Sequence, residues 1–235
     1  MIQFYAPHIE EECLLPENES MHCCRVLRMK KDDIIYVVDG KGKRFTCKIT
    51  DPHPKKTAFE IISFEEELKP DFKIKLAIAP TKNSDRIDWL VEKCVEIGID
   101  EIIFVRCERS ERKDIRLDRI EKVMVSAMKQ SLKYSLPALV KYDNVKDFLK
   151  AVSDKEQKFM GYCAPDIPKE LLAKNIIPAK DVLVFIGPEG DFTPMEVTES
   201  MNSGFVPVTF GEMRLRTETA GLYAVTAIHV VNSLI

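Results

Sequence analysis

Two short glycine-bearing segments in the last fifty residues carry the residue types that let a backbone approach a ligand. The first, Gly187-Pro188-Glu189-Gly190-Asp191-Phe192-Thr193-Pro194-Met195-Glu196, follows the apolar run Val182-Leu183-Val184-Phe185-Ile186. A buried strand that ends in glycine and then enters a helix makes a turn at the strand's carboxyl end, where open α/β sheets bind ligands. Gly187 and Gly190 have no Cβ to hold a ligand off. Thr193 as N-cap, Pro194 at the first helical position and Glu196 closing a capping box fix the helix start, with Phe192 and Val197 as a hydrophobic staple. An ordinary tight strand-to-helix turn would share this composition. The second segment, Gly211-Glu212-Met213-Arg214-Leu215-Arg216-Thr217-Glu218-Thr219-Ala220, follows a strand at 205–210 and opens the last helix. Thr217 is its expected cap, and Glu218 falls in the first turn, where the helix dipole favours a carboxylate. Neither segment ends in Gly-Lys-Ser/Thr, and no Gly-x-Gly-x-x-Gly follows a strand, which argues against nucleoside triphosphate and nicotinamide sites.

Metal chemistry finds little support. The histidines, His8, His22, His53 and His229, show no ligand spacing, and His229 lies on an apolar helix. Seven cysteines form an odd set without a Cys-x-x-Cys pair, which fits neither a disulfide framework nor a zinc ribbon and suits a reducing cytoplasm. The start Met1-Ile2-Gln3-Phe4-Tyr5 lacks the order of a signal peptide, and no apolar run approaches a membrane span. A cytoplasmic location is expected.

The elements that would position the two turns lie in the second of two modules. In the first, Ile34 to Val38, the turn Asp39-Gly40-Lys41-Gly42 and alternating Phe45, Cys47 and Ile49 predict a hairpin, with a third strand from about Ala58 to Ile62. The acidic, proline-containing stretch 65–71 predicts a linker, which divides the chain into domains 1–70 and 71–235. Beyond it, strands at Ile74 to Ala79, Glu101 to Val105, Lys158 to Tyr162 and Val182 to Ile186 alternate with helices over Ser84 to Ile97, stopped by Gly98, and over Leu117 to Lys133. This alternation predicts an α/β domain around a parallel sheet. The last helix, with Leu222, Val225, Ile228 and Val230, is expected to pack on that sheet or on a second subunit.

A chain of 235 residues, 45% hydrophobic, can bury a sizeable core, and its formal charge of −3 gives no global sign of a nucleic-acid partner. Charge is unevenly spread, however: residues 21–56 hold ten basic side chains against four acidic ones. Such clustering suits a surface that follows a phosphate backbone and releases its counterions, or simply a solvated face.

The paired segments, Gly187-Pro188-Glu189-Gly190 and then Gly211 with Leu215-Arg216-Thr217-Glu218-Thr219-Ala220, resemble the signature of the small-subunit ribosomal RNA methyltransferase E family. The resemblance extends to His22 with Val26-Leu27-Arg28, to Asp39-Gly40, to Lys82 and Arg86, and to Glu92-Lys93-Cys94-Val95-Glu96-Ile97-Gly98, so it spans nearly the whole chain. It implies a PUA-like RNA-binding β-barrel followed by a SPOUT-type α/β domain whose C-terminal part is threaded through a trefoil knot. It also implies a homodimer that uses S-adenosyl-L-methionine to methylate N3 of a uridine in 16S rRNA of the small (30S) ribosomal subunit. The implied cofactor-binding residues are Ile186, Gly187, Glu189, Gly190, Phe210, Gly211, Leu215 and Thr217. The sequence departs from the family pattern at Asp191, where glycine is usual, at Met213-Arg214, and at Lys129, with Ser131 and Lys133 nearby.

Transfer from a sulfonium is an in-line displacement, which asks chiefly for two reactants held at attack distance. Uracil N3 must lose its proton to become a good nucleophile, so a base or an anion-stabilising group is needed. Arg216 is expected to stabilise that anion or to hold its phosphate, and Glu189 and Glu218 are the available proton acceptors. Arg25, Arg28, Lys82 and Arg86 are expected to contact phosphates. Two rivals make distinct predictions: a non-catalytic RNA-binding module with a vestigial pocket would bind no donor, and a small-molecule enzyme would act without RNA.

Overall fold

The computed structural model describes residues 2–112 and 114–234, which group into two compact units: Met1–Lys69 with Met124–Leu136, and Pro70–Val123 with Pro137–Ile235.

In the first unit, β1 (Gln3–Tyr5) leads through α1 (Ile9–Glu12), α2 (Glu17–Met21) and a π-helical turn (His22–Val26) to β2 (Ile34–Val38), β3 (Lys43–Asp51) and β4 (Ala58–Glu66). They form a mixed sheet in the order β1-β2-β3-β4, with β1 parallel to β2 and the rest antiparallel. Leu14 bridges to Ala58, and Leu15 and Phe59 add backbone bonds to Thr57 and Cys13, so the chain that follows β1 curls onto β4. Phe4, Ile35, Val37, Phe45, Cys47, Ile49 and Phe59 fill the enclosed core. The predicted hairpin turn is held by Asp39, whose Oδ1 accepts from the Lys41 and Lys43 amides at 2.7 and 3.0 Å. β4 runs four residues past its predicted end, taking in Glu65 and Glu66 from the expected linker. Cross-strand partners explain the extension, because Glu66 faces Lys43, Glu65 faces Arg44 and pairs with it, and Phe64 packs on Phe45. Lys129, one of the departures from the family pattern, grips the buried Glu19 carboxylate with bonds of 2.6 and 2.8 Å.

The second unit holds β5 (Ile74–Ile78), α3 (Ser84–Ile97), β6 (Glu101–Val105), α4 (Leu117–Gln130, its end grouped with the first unit), β7 (Ala138–Tyr142), α5 (Val145–Ala151), β8 (Gln157–Gly161), β9 (Glu170–Leu171), α6 (Leu172–Asn175), β10 (Val182–Ile186), α7 (Pro194–Asn202), β11 (Val206–Thr209) and α8 (Thr217–Asn232). Seven parallel strands lie in the order β7-β6-β5-β10-β8-β11-β9. β10 is buried along its whole length, as a central parallel strand covered on both faces must be. One face carries an aromatic cluster of Phe148, Phe185, Phe192 and Phe205. On the other, α8 packs against α3, β5 and β10, where a Cβ on Gly221 would come 3.1 Å from Ile78 Cδ1. His229 bonds the Gly98 carbonyl through Nε2 at 2.6 Å, a structural role for the helix histidine.

Two predicted helix ends are corrected. α4 stops at Gln130 instead of Lys133, because Leu132 adopts φ 57° while Leu132 N–H and Lys133 N–H bond the carbonyls of Lys129 and Met128. That is a Schellman ending with leucine in the place glycine usually fills. Thr217 is the first residue of α8 and not its cap; Arg216 occupies the cap position, in extended backbone, and supplies no side-chain bond.

Candidate active site

The turn after β10 is rigid for reasons visible in its side chains. Thr193 Oγ1 accepts from Glu196 N at 3.3 Å, and Glu196 Oε2 accepts from Thr193 N at 2.8 Å, which completes the predicted capping box. The other oxygen of Glu196 accepts from Glu108 N at 2.8 Å and so ties the helix start to the segment after β6. Gly187 is required by packing: a Cβ there would lie 2.9 Å from the Phe192 ring, which is buried edge-on against Phe185. Asp191, where glycine is usual, takes φ 60°, a left-handed conformation that glycine adopts freely and aspartate tolerates. Its Oδ2 accepts from Cys163 N at 3.2 Å, fastening the turn to the chain leaving β8.

The turn after β11 is built differently. Gly211 has φ 120°, and Thr209 Oγ1 closes the bend by donating to the Gly211 carbonyl at 2.8 Å. The Phe210 ring leans over Gly161 so closely that a Cβ there would sit 2.7 Å from Cε2. Because β8 lies between β10 and β11 in the sheet, Gly161 at its end leaves room between the two turns.

These turns wall a cavity of about 720 Å³. Its lining includes Ile186, Gly187, Glu189, Phe210, Gly211, Leu215, Arg216 and Thr217, so the structure brings together most of the residues singled out in the sequence. Gly190 is not among them; its carbonyl accepts from Arg109, which also bonds the Phe192 carbonyl, both at 3.1 Å. The lining carries both signs of charge, Glu189, Asp191 and Glu212 against Lys169, Arg214 and Arg216. At its edge, burial and then a hydrogen bond to Asp166 raise the Tyr162 phenol above its usual range.

Arg214, Leu215 and Arg216 also line a second cavity of about 600 Å³, together with Asp85, Arg86, Trp89, Glu218 and Thr219. The Glu218 side chain is 7% exposed; its Oε1 lies 3.5 Å from Arg86 Nε, and its Oε2 has no partner. Arg86, expected at a phosphate, is thus engaged with a buried carboxylate. Lys82 is engaged too: its amide bonds Glu189 Oε1 at 3.2 Å and its ammonium pairs with Glu111 at 2.8 Å, a hydrogen bond that holds the Lys82 pKa above its usual value. Arg25 and Arg28, in the first unit, are exposed and make no ion pair among the described residues.

Sequence reasoning passed over Gly161, Lys169 and Trp89. For Trp89 a signal existed: Ile87, Leu90, Val91, Cys94 and Val95 are the buried stripe of α3, and Trp89 lies off it, 43% exposed. Among the described residues no group of three or more His, Cys, Asp or Glu is placed to hold a metal ion, and no helix is long and apolar enough to cross a membrane.

Comparison with known proteins matches two stretches of the chain. Residues 68–229 match the family model of an RNA methyltransferase domain, and residues 15–62 match that of an RNA methyltransferase PUA domain. A crystal structure from Porphyromonas gingivalis, described as a probable rRNA-methyltransferase, is 39% identical, covers 100% of this chain and 99% of its own, and superposes with a TM-score of 0.94. A ribosomal RNA small subunit methyltransferase E from Neisseria gonorrhoeae, solved bound to S-adenosyl methionine, is 28% identical over 98% of both chains with a TM-score of 0.84. A Buchnera aphidicola protein of the same name is 28% identical over 92% of this chain and 87% of its own. With a parallel-sheet domain whose two strand-end turns enclose one cavity, and with both parts of the sequence matched, the chain belongs to the ribosomal RNA small subunit methyltransferase E family.

Proposed function

We propose that this protein transfers the methyl group of S-adenosyl-L-methionine to N3 of a uridine in 16S rRNA, with domain 71–235 holding the donor and domain 1–70 holding RNA. The observation that carries the reading is the single cavity between the turns after β10 and β11. Its volume of about 720 Å³ is in the range of small-ligand sites, and its lining of both charge signs suits a donor that carries an ammonium, a carboxylate and a sulfonium. When bound, that donor supplies an electrophilic methyl group.

The protein's own residues supply position and charge. The backbone at Ile186, Gly187, Phe210, Gly211 and Leu215 would cradle the donor, with Thr217 at the foot of α8 and Glu189 at the rim. Gly190 supports the turn from behind by accepting from Arg109. Arg216, exposed and unpaired among the described residues, would stabilise the uracil anion. Glu189, at the rim, and Glu218, paired with Arg86, are the two carboxylates available to accept the N3 proton. A homodimer, acting in the cytoplasm on 16S rRNA or the 30S particle, completes the reading; its apolar surface is offered by Tyr223 and Val230, both exposed on α8.

The test is methyl transfer from labelled donor to unmodified 30S particles and to naked 16S rRNA, with the product base identified by mass spectrometry. N3-methyluridine is the expected product. Label on any other base, or none, removes the uridine-N3 reading; no calorimetric signal with the donor would instead favour a non-catalytic RNA binder.

Arg25 and Arg28 supply the phosphate contacts that are free of competing carboxylates. Arg25→Ala with Arg28→Ala is expected to weaken rRNA binding and to lower the slope of log K against log salt by roughly 1.4 to 1.8, at about 0.7 to 0.9 per phosphate contact. Filter binding across a salt series measures it, and donor affinity should not move. An unchanged slope would take both arginines out of the RNA surface.

A further inference from the structure

The second cavity brings together three features suited to a ligand of its own. Its wall carries Trp89, the protein's only tryptophan, with a large part of the indole exposed. Glu218, nine-tenths buried, contributes a carboxylate whose Oε2 lacks any partner, and a buried acceptor without a donor is costly unless a ligand supplies one. Arg214, exposed and without an ion pair among the described residues, lines both cavities. An aromatic face, an unsatisfied acceptor and a free guanidinium are the three elements that recognise a nucleotide through its ring, its imino hydrogen and its phosphate.

We propose that this cavity holds the acceptor nucleotide of the RNA, with the base stacked on Trp89, its N3–H directed to Glu218 Oε2, and its phosphate on Arg214. The inference rests on the methyltransferase reading and adds to it the seat of the acceptor and the group that takes its proton. Glu218, more than the exposed Glu189, is suited to that task, since Arg86 holds it by one contact of 3.5 Å and leaves its second oxygen free. In the reaction the N3 proton passes to Oε2, and the electron pair left on nitrogen forms the new bond to the methyl carbon. The carbon–sulfur pair stays with sulfur as a neutral thioether, and Glu218 then releases the proton to water. The shared wall of Arg214 to Arg216 places acceptor and donor in adjoining chambers, as direct transfer needs. A base within a stem must turn out of its stack to enter.

Because Trp89 is the sole indole, intrinsic emission of the unmodified full-length protein reports on this wall alone. Titration with a short oligouridylate, without donor, should change that emission saturably, whereas an abasic sugar-phosphate oligomer of equal length should not. Trp89→Ala should raise the KM for rRNA roughly 10- to 100-fold, with Trp89→Phe restoring most of it. Glu218→Gln should lower kcat by at least ~100-fold, the usual size of a general-base contribution, with donor affinity in calorimetry unchanged. Emission that ignores both oligomers overturns the proposal, as does emission that varies only with protein concentration, which would put Trp89 under a second copy of the chain. If wild-type protein methylates rRNA and both variants match it, this inference fails alone; if wild-type protein transfers no methyl group, the methyltransferase reading fails instead.

Discussion

Gly211→Val is expected to raise the dissociation constant for the methyl donor by ~100-fold or more, about 3 kcal/mol, while the protein stays folded. Gly211 has φ 120°, which a β-branched residue meets only at a strain of about 1–3 kcal/mol. An added Cβ would touch nothing within 4 Å, so the core is not disturbed and the backbone can relax by changing φ. That relaxation moves the bend closed by Thr209 Oγ1, and the bend is wall to the cavity. Gly187→Val should behave differently, since its Cβ would strike the buried Phe192 ring at 2.9 Å and cost about 3 kcal/mol of overpacking. Calorimetry with the donor, paired with thermal unfolding, separates the two: lost binding with a near-native midpoint for Gly211→Val, and lost binding with a lowered midpoint for Gly187→Val. Native donor affinity in folded Gly211→Val would mean that the two turns do not form one cradle.

The contrast between these glycines shows what the sequence can and cannot disclose. Local signals were read well wherever one residue type does one job: Ser84 to Ile97 with its Gly98 stop, the Thr193–Glu196 capping box and the Asp39-Gly40 turn all lie where composition put them. Failures came where tertiary partners override composition. Leucine closes α4 in the glycine position of a Schellman ending, and Lys43 and Arg44 draw Glu65 and Glu66 into a strand that their acidity argued against. β1 could not be foreseen, because three residues whose partner strand lies some thirty positions away carry no periodicity. The strand and helix between 138 and 151 are short enough to escape a search for long periodic segments.

The site was legible as two separate turns and not as one cavity. Their juxtaposition depends on β10 inserting between β5 and β8 while β11 takes the far side of β8, an order no local signal encodes. Hence Gly161, which makes room between the turns, went unnoticed inside an ordinary strand. Asp191 is the reverse case: a departure from the family pattern finds its physical account in φ 60°, the conformation for which glycine is the usual choice. The knotted threading implied by the resemblance has no signature in periodicity, and general rules of chain connection disfavour it.

Arg216→Ala should reduce kcat by ~100- to 1,000-fold, the loss typical of removing one donor that stabilises charge developing in a transition state. Arg216 stands in extended backbone at the start of α8, where it caps nothing, pairs with no carboxylate among the described residues and lines both cavities. A side chain with no structural bond to lose should leave stability nearly unchanged when truncated, so a fall in rate can be read as lost catalysis. The split between kinetic constants then identifies what the guanidinium holds. If it stabilises the uracil anion, kcat and kcat/KM fall together and Arg216→Lys, which keeps the charge but not the planar fork, recovers part of the rate. If it grips a phosphate equally in ground and transition states, KM rises alone and the rate at saturating rRNA is preserved. Donor affinity should stay within twofold in either case, and native kinetics in Arg216→Ala would remove this residue from the reaction.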